Sequence, residues 1–335
     1  MEWNTPVSID LQQGAVTHHH RMMLFGSCFA EHIGTRLGEF HFRVDVNPFG
    51  IQYNPLSIAK SLVRLLDRKP FSDEDLFSNG NLWHSFAHHS SFSHIDKALC
   101  LQQINRRFLP ASTSLGEVDF LILTWGTAWV YTLTGTDTVV ANCHKLPASC
   151  FDRRRLSVDG MVAVWLPLLE RLFATNPRVK LLFTVSPVRH MKDGAHGNQL
   201  SKSALLLFTD ELCRAYPERC FYFPAYELVM DELRDYRFYD RDMVHPSQQA
   251  VDYVWEKFSE TYFDEATRSV NREWRRLLQA LRHRPLTPDR KTYRQFVIQN
   301  ILKLEKFREK YTFFDVTDEL AAARQLLATL ETDEI

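Results

Sequence analysis

The sequence predicts an α/β protein: a three-layer α/β/α arrangement around a mostly parallel sheet of about five strands, followed by a C-terminal helical appendage. Three observations lead there. Short apolar runs closed by Gly or Pro turns alternate with segments of helical period, the pattern of right-handed βαβ crossovers that leave both sheet faces covered. The 335 residues are 45% hydrophobic and include 24 Phe, enough apolar volume for one large core. Beyond residue 267 strand signals stop, and charged, helix-periodic sequence continues. The expected division is residues 1–265 for the α/β domain and 266–335 for the helical extension.

The elements follow in order. Arg21–Phe25 is a short apolar run ending at Gly26, a buried strand and turn, and residues 30–40 place Ile33, Leu37 and Phe40 at helical spacing. Phe42–Val46 alternates as a second strand and ends in the turn cluster Asn47-Pro48-Phe49-Gly50. Asn54-Pro55 opens a helix over 56–66. Arg68–Leu109 is polar, rich in His and Ser, and carries no clear period. Val118–Trp125 is the strongest strand, and 130–134 with 138–142 flank Gly135-Thr136-Asp137 as a hairpin. A helix over 157–174 capped by Ser157, a strand over 179–185 stopped at Ser186-Pro187, a helix over 201–216, a strand over 220–223 and a helix over 225–233 complete the alternation. Residues 236–246 read as loop and 247–258 as helix. The helices beyond 267 break at residues 284–288.

Charge excludes several functions. Lys+Arg total 40 against 41 Asp+Glu, a formal net charge of −1, which leaves no basic excess for a polyanion. No apolar run reaches the ~18 residues that span a bilayer. The first ten residues lack a basic segment followed by an apolar one, so they do not read as a secretory leader. Cys28, Cys100, Cys143, Cys150, Cys213 and Cys220 include no CxxC pair, so reduced thiols are expected rather than disulfides or a zinc site. The expectation is a cytoplasmic protein with neither a nucleic-acid nor a membrane partner. His18–His20 read as surface loop, and Asp231, Glu232, Asp235 and Asp240 as a solvated acidic face.

Chemistry concentrates at the predicted carboxyl ends of strands. Gly26-Ser27-Cys28 lies at a strand-to-helix turn, where free N–H groups and the positive end of the helix dipole favour a thiolate or an oxyanion. Asp242 and His245 are three apart in a loop, a spacing that lets the carboxylate hold one imidazole nitrogen while the other faces a nucleophile. His84, His88, His89 and His94 match no strong metal spacing. They read as structural or substrate-loop histidines, with His84 a candidate to line the pocket. His144 and His190 are further pocket candidates, and Arg189 is a candidate anion contact. No cofactor and no metal is called for.

Together GSCFAEHIG (26–34), NPFGIQYNP (47–55), WHSFAHHSSFS (83–93), TWGTAWVY (124–131), NCHK (142–145), SPVRH (186–190), FPAYE (223–227) and DMVHPS (242–247) resemble the GSCFA-domain family over roughly residues 20–260. That family is grouped with the SGNH, or GDSL-like, hydrolases. The resemblance implies their three-layer fold and an esterase-like site. Carried across, it puts Cys28 at the nucleophile position, with Ser27 matching by chemical type, and the DxxH pair on Asp242 and His245. It implies that Gly50 is an oxyanion donor, and it places the third superfamily block on Gly126-Thr127-Ala128-Trp129, where the usual Asn is absent: either Thr127 or Asn142 substitutes, or that donor is missing. The function implied is an acyl-ester hydrolase or acyltransferase, acting on a small-molecule or carbohydrate ester by analogy with the superfamily. The alternative is a ligand-binding protein that keeps the fold without the chemistry.

Overall fold

The computed structural model describes residues 5–10, 15–283 and 289–332. In chain order the elements are β1 (Arg21–Gly26), α1 (Cys28–Glu39), β2 (Arg43–Val46), α2 (Pro55–Leu66), β3 (Phe77–Asn79), β4 (Leu82–His84), α3 (Lys97–Ser114), β5 (Phe120–Trp125), β6 (Trp129–Leu133), β7 (Val139–Val140) and β8 (Phe151–Arg155). They continue with α4 (Val158–Thr175), β9 (Lys180–Val185), α5 (Gly194–Ala215), β10 (Cys220–Tyr222), the short α6 (Ala225–Glu227), α7 (Gln248–Tyr262), α8 (Glu265–Arg282), α9 (Arg290–Lys310) and α10 (Thr317–Thr332).

The central sheet is five-stranded, ordered β10-β9-β5-β1-β2, and its ladders are parallel. The five expected strands are all present, each within a residue or two of its expected bounds. Their near-continuous apolar runs follow from burial on both faces. Met23, Phe25, Leu121, Leu123, Trp125, Leu181, Phe183 and Val185 point to one side, against Ile58 and Leu62 of α2, Ile104 and Phe108 of α3, Trp165 and Leu169 of α4, and Phe208 of α5. Leu24, Ile122 and Leu182 point to the other, against Phe29 and Ile33 of α1 and Phe258 of α7. Each fully buried Leu, Ile or Phe contributes roughly 1.5–3 kcal/mol by this transfer.

The structure corrects several sequence expectations. The uncharacterised stretch 68–109 holds the β3–β4 hairpin and most of α3, whose N-cap Asp96 accepts from the Leu99 N–H at 2.9 Å. The predicted hairpin forms as β6–β7, but a third strand, β8, joins β6 on its other edge. Its Asp-Arg-Arg-Arg sequence reads as polar, which suits an edge strand. Helix α5 begins at Gly194 rather than near 201, and the helix expected over 225–233 is one α-turn followed by a π-turn over Leu228–Glu232. Glu232 is not on a solvated face: it is buried and accepts from the Val7 N–H and the Tyr253 hydroxyl, each at 2.6 Å. The break expected at 284–288 lies outside the described residues.

By compactness the described chain forms two units. One gathers 5–10, 20–36 and 44–258 around the sheet. The other gathers 15–19, 37–43, 259–283 and 289–332, so it is not built from the C-terminal segment alone. In this second unit Trp274 is fully buried beside Phe307 and Phe314, and its indole N–H donates to the Glu39 carbonyl at 2.7 Å. His18 is not surface loop: it is buried and stacks on Phe42 at 4.1 Å, and desolvation lowers its pKa to about 4.

Gly26 closes β1 at φ +151°, and a Cβ there would sit 2.5 Å from the Thr124 carbonyl oxygen. Gly26→Ala is expected to cost about 3 kcal/mol in chemical denaturation. Gly80→Ala, at φ +61° with open space around it, should cost about 1 kcal/mol.

Candidate active site

Taken in chain order, the central strands stand second, first, third, fourth, fifth across the sheet. The order reverses between β1 and β5, so the chain leaves their carboxyl ends toward opposite sides and a crevice opens there. A pocket of about 400 Å³ occupies that place. Ser27 and Cys28 line it after β1, Gly126 and Thr127 after β5, and Ser186 and His190 after β9. Tyr53, Trp129 and Tyr131 supply aromatic walls, and Asn142 and His245 enter from loops.

Cys28 is the first residue of α1. The first bond of the helix runs from the Glu31 N–H to the Ser27 carbonyl at 3.3 Å, so the amides of Cys28, Phe29 and Ala30 have no helical acceptor. The half-buried Cys28 thiol is pushed up by desolvation. The N–H groups of Phe29 and of Cys28 itself oppose that shift, as does the charge of Lys202. Ser27 is only 2% exposed, and its Oγ is buried without a partner.

The Asp242–His245 turn is built as its spacing predicts. Asp242 Oδ1 accepts from the N–H groups of Val244 and His245, each at 3.0 Å, and Oδ2 lies 2.5 Å from His245 Nδ1. Nε2 is thereby left for the pocket. The His245 N–H, the Val244 N–H and the imidazole together hold the Asp242 carboxyl at about 2, in the order of their effect. The Arg189 N–H donates to the Val244 carbonyl at 3.1 Å, which ties this loop to the segment leaving β9. Asp240 N–H closes on the His245 carbonyl at 2.8 Å.

The expected oxyanion donors fare unevenly. Gly50 does not line the pocket; it sits at φ +75° and its N–H closes a turn on the Asn47 carbonyl at 2.7 Å. The N–H groups of Gly126 and Thr127 both point back to the Tyr53 carbonyl, at 2.8 and 2.9 Å. Thr127 Oγ1 meets Ser201 Oγ at 3.2 Å and accepts from the Trp129 N–H. Asn142 lines the pocket with its Oδ1 taken by the His144 N–H at 2.8 Å, which leaves Nδ2 as a donor. One residue escaped the sequence reading altogether. Lys202 of α5 is 1% exposed, and its Nζ donates to the Gly126 and Ser186 carbonyls at 2.7 Å each. Its only sequence signal is a lysine on the apolar stripe shared with Leu205, Thr209 and Leu212.

Residues 21–258 match the profile of the GSCFA family. The chain belongs to the GSCFA family. Residues 274–329 match a second profile, the C-terminal domain of GSCFA domain proteins. No curated protein matches the sequence. Among solved structures this GSCFA protein is similar to an acetyl xylan esterase (Est2A) from the rumen bacterium Butyrivibrio proteoclasticus, at 8% identity and a TM-score of 0.32. The match covers 76% of this chain and 64% of that one.

The remaining histidines divide by location. His84 and His144 lie outside the pocket, with ring centroids 4.5 Å apart. His84 Nδ1 meets Ser93 Oγ at 2.6 Å and His144 Nε2 meets the Ser85 carbonyl at 2.9 Å, so both brace loops. His88 is fully buried against Phe49 and Phe71. His190 does reach the pocket, and its Nε2 is buried without a partner. Among the described residues no group of three or more His, Cys, Asp or Glu side chains is gathered to hold a metal, and no helix is long and apolar enough to cross a membrane.

Desolvation lowers His88 to about 3 and His144 and His190 to about 4. All three are thus favoured neutral in the fold, whereas the unfolded chain protonates them near 6.5. Their stabilisation is complete above about pH 6.5 and is lost as pH falls from there toward 4. The unfolding free energy measured by denaturant titration across that window should drop with a slope of about 1.4 kcal/mol per pH unit for each histidine. A flat profile from pH 6.5 to 4 would refute the assignment.

Proposed function

We propose that the pocket is an acyl-transfer site acting on an ester, with Cys28 as nucleophile and His245–Asp242 as the proton relay. One observation carries this reading: Cys28, at a helix N-terminus, and His245, oriented through Nδ1 by Asp242, line the same cavity at the sheet's switch point. Cys28 Sγ attacks the acyl carbonyl while His245 Nε2 takes the thiol proton. The tetrahedral oxyanion forms beside the free amides of the first turn of α1 and Asn142 Nδ2. The carbonyl re-forms as the alkoxide leaves, and His245 returns the proton to it. Water or a second hydroxyl then attacks the thioester, with His245 again taking the proton, and Cys28 is released. Water makes the protein a hydrolase, and a hydroxyl acceptor makes it an acyltransferase.

The substrate side of the reading rests on the lining. Tyr53, Trp129 and Tyr131 offer flat apolar surface beside the polar Asn142 and Ser186. Three buried polar atoms of lining residues lack partners: Ser27 Oγ, Trp129 Nε1 and His190 Nε2. Such groups are costly when left unpaired. An acylated carbohydrate presents both an apolar ring face and hydroxyls.

The test is a panel of short-chain aryl esters and acetylated sugars. Cys28→Ala and His245→Ala are each expected to lower kcat about a thousandfold, and Asn142→Ala about a hundredfold. An acyl-phosphonate trap followed by peptide mass spectrometry should place the adduct on Cys28. An adduct on Ser27 would reassign the nucleophile. Turnover that persists in His245→Ala would sink the relay, and binding without turnover on any ester would favour a ligand-binding role.

A further inference from the structure

A lysine buried to 1% exposure needs a reason, because taking an ammonium out of water costs several kcal/mol unless it is paired. Lys202 has no carboxylate partner among the described residues: no ion pair forms on it, and its two hydrogen-bond acceptors are the Gly126 and Ser186 carbonyls. Those carbonyls are the first beyond the carboxyl ends of β5 and β9, and both residues line the pocket with Cys28. Gly26 is in register with Thr124, so the turn that carries Cys28 runs beside the strand end that Lys202 holds. A methionine would fill similar volume and would need no carbonyls. An ammonium has a third N–H and a charge that neither carbonyl neutralises.

We propose that Lys202 is the buried counter-charge of Cys28, a positioning residue that ties the ends of β5 and β9 together and favours the thiolate. Desolvation lowers Lys202 to about 7, and the charge of Cys28 acts in the opposite direction. Reciprocally, the charge of Lys202 acts against the burial of the Cys28 thiol. The other groups with a charge near the pair are Glu31 on α1, which opposes the thiolate, Tyr53 ahead of α2, His190 after β9 and His245 in the Asp242 loop. Coupling of this kind is mutual, so each partner shifts the ionisation of the other by the same amount.

The proposal rests on Cys28 as the nucleophile, but its test reads ionisation rather than turnover. In the full chain, iodoacetamide alkylation of Cys28 is followed by peptide mass spectrometry as a function of pH. Lys202→Met should move the alkylation midpoint up by at least one pH unit, making Cys28 about tenfold slower at pH 7. An unchanged midpoint in folded Lys202→Met overturns the proposal. A second measurement does not require that variant to fold. In protein labelled with [ε-13C]lysine, the lysine signal titrating near neutrality should titrate at lower pH in Cys28→Ala than in the wild type. Equal titration in the two proteins overturns the proposal as well. If neither ester turnover nor a trap adduct is found while both shifts are observed, the acyl-transfer reading fails and the Lys202–Cys28 pairing stands.

Discussion

β1 and β5 meet backbone to backbone at Gly26 and Thr124, with room for nothing larger than hydrogen between them. The geometry of the pocket descends from that pass. Because Gly26 crosses so close, α1 starts immediately, and its unpaired first amides arrive beside the end of β5. Gly26 is held on both sides: its N–H donates to Asn47 Oδ1 at 2.9 Å, and its carbonyl accepts from the Gln52 N–H at 3.1 Å. The turn after β2 thereby braces the turn after β1.

A consequence is that most backbone donors near these turns already have acceptors. Tyr53 accepts from both Gly126 and Thr127, and Asn47 accepts from Gly50. What stays without a backbone acceptor is narrow: the first amides of α1, two of which face the Cys28 thiol, and the Asn142 side-chain amide. Burial separates the ionisable groups in the same way. His88 and His144 are held neutral by desolvation inside the scaffold, whereas Asp242 is exposed and kept ionised by three hydrogen bonds from its own turn. The carboxylate and the buried imidazoles are stabilised in opposite charge states by opposite means.

The sheet was legible because fully buried parallel strands are written as unbroken apolar runs, and 120–125 reads Phe-Leu-Ile-Leu-Thr-Trp. The Asp242–His245 turn was legible because its geometry is local and three residues suffice to make it. Non-local features were not. Lys202 contacts Gly126 across 76 residues of chain and Ser186 across 16, and nothing in its neighbours announces either contact. The position of Gly50 suggested an oxyanion donor, yet the direction of its N–H is set by a φ of +75° that only the folded turn reveals. Strand β8 was hidden because pairing, not hydrophobicity, makes Asp-Arg-Arg-Arg extended: Arg153 lies over Trp129 at 4.2 Å and pairs with Asp193. Glu232 and His18 read as exposed because charge and polarity were taken as proxies for solvent, and each instead has a specific buried partner.

The second unit draws on three stretches of chain, and this bears on the order in which the protein is made. The Val16 N–H bonds the Tyr262 carbonyl at 3.1 Å, and His18 packs on Phe313 and Phe314. These partners are separated by roughly 250 to 300 residues, so early-synthesised segments wait for the last helices before they can be buried. At 5–20 residues per second that interval is of order tens of seconds. Until then His18, His41 and Phe42 are apolar or aromatic surface without a cover, a vulnerable state for a nascent chain. The sheet, whose strands all lie between residues 21 and 222, has no such wait and is free to form first.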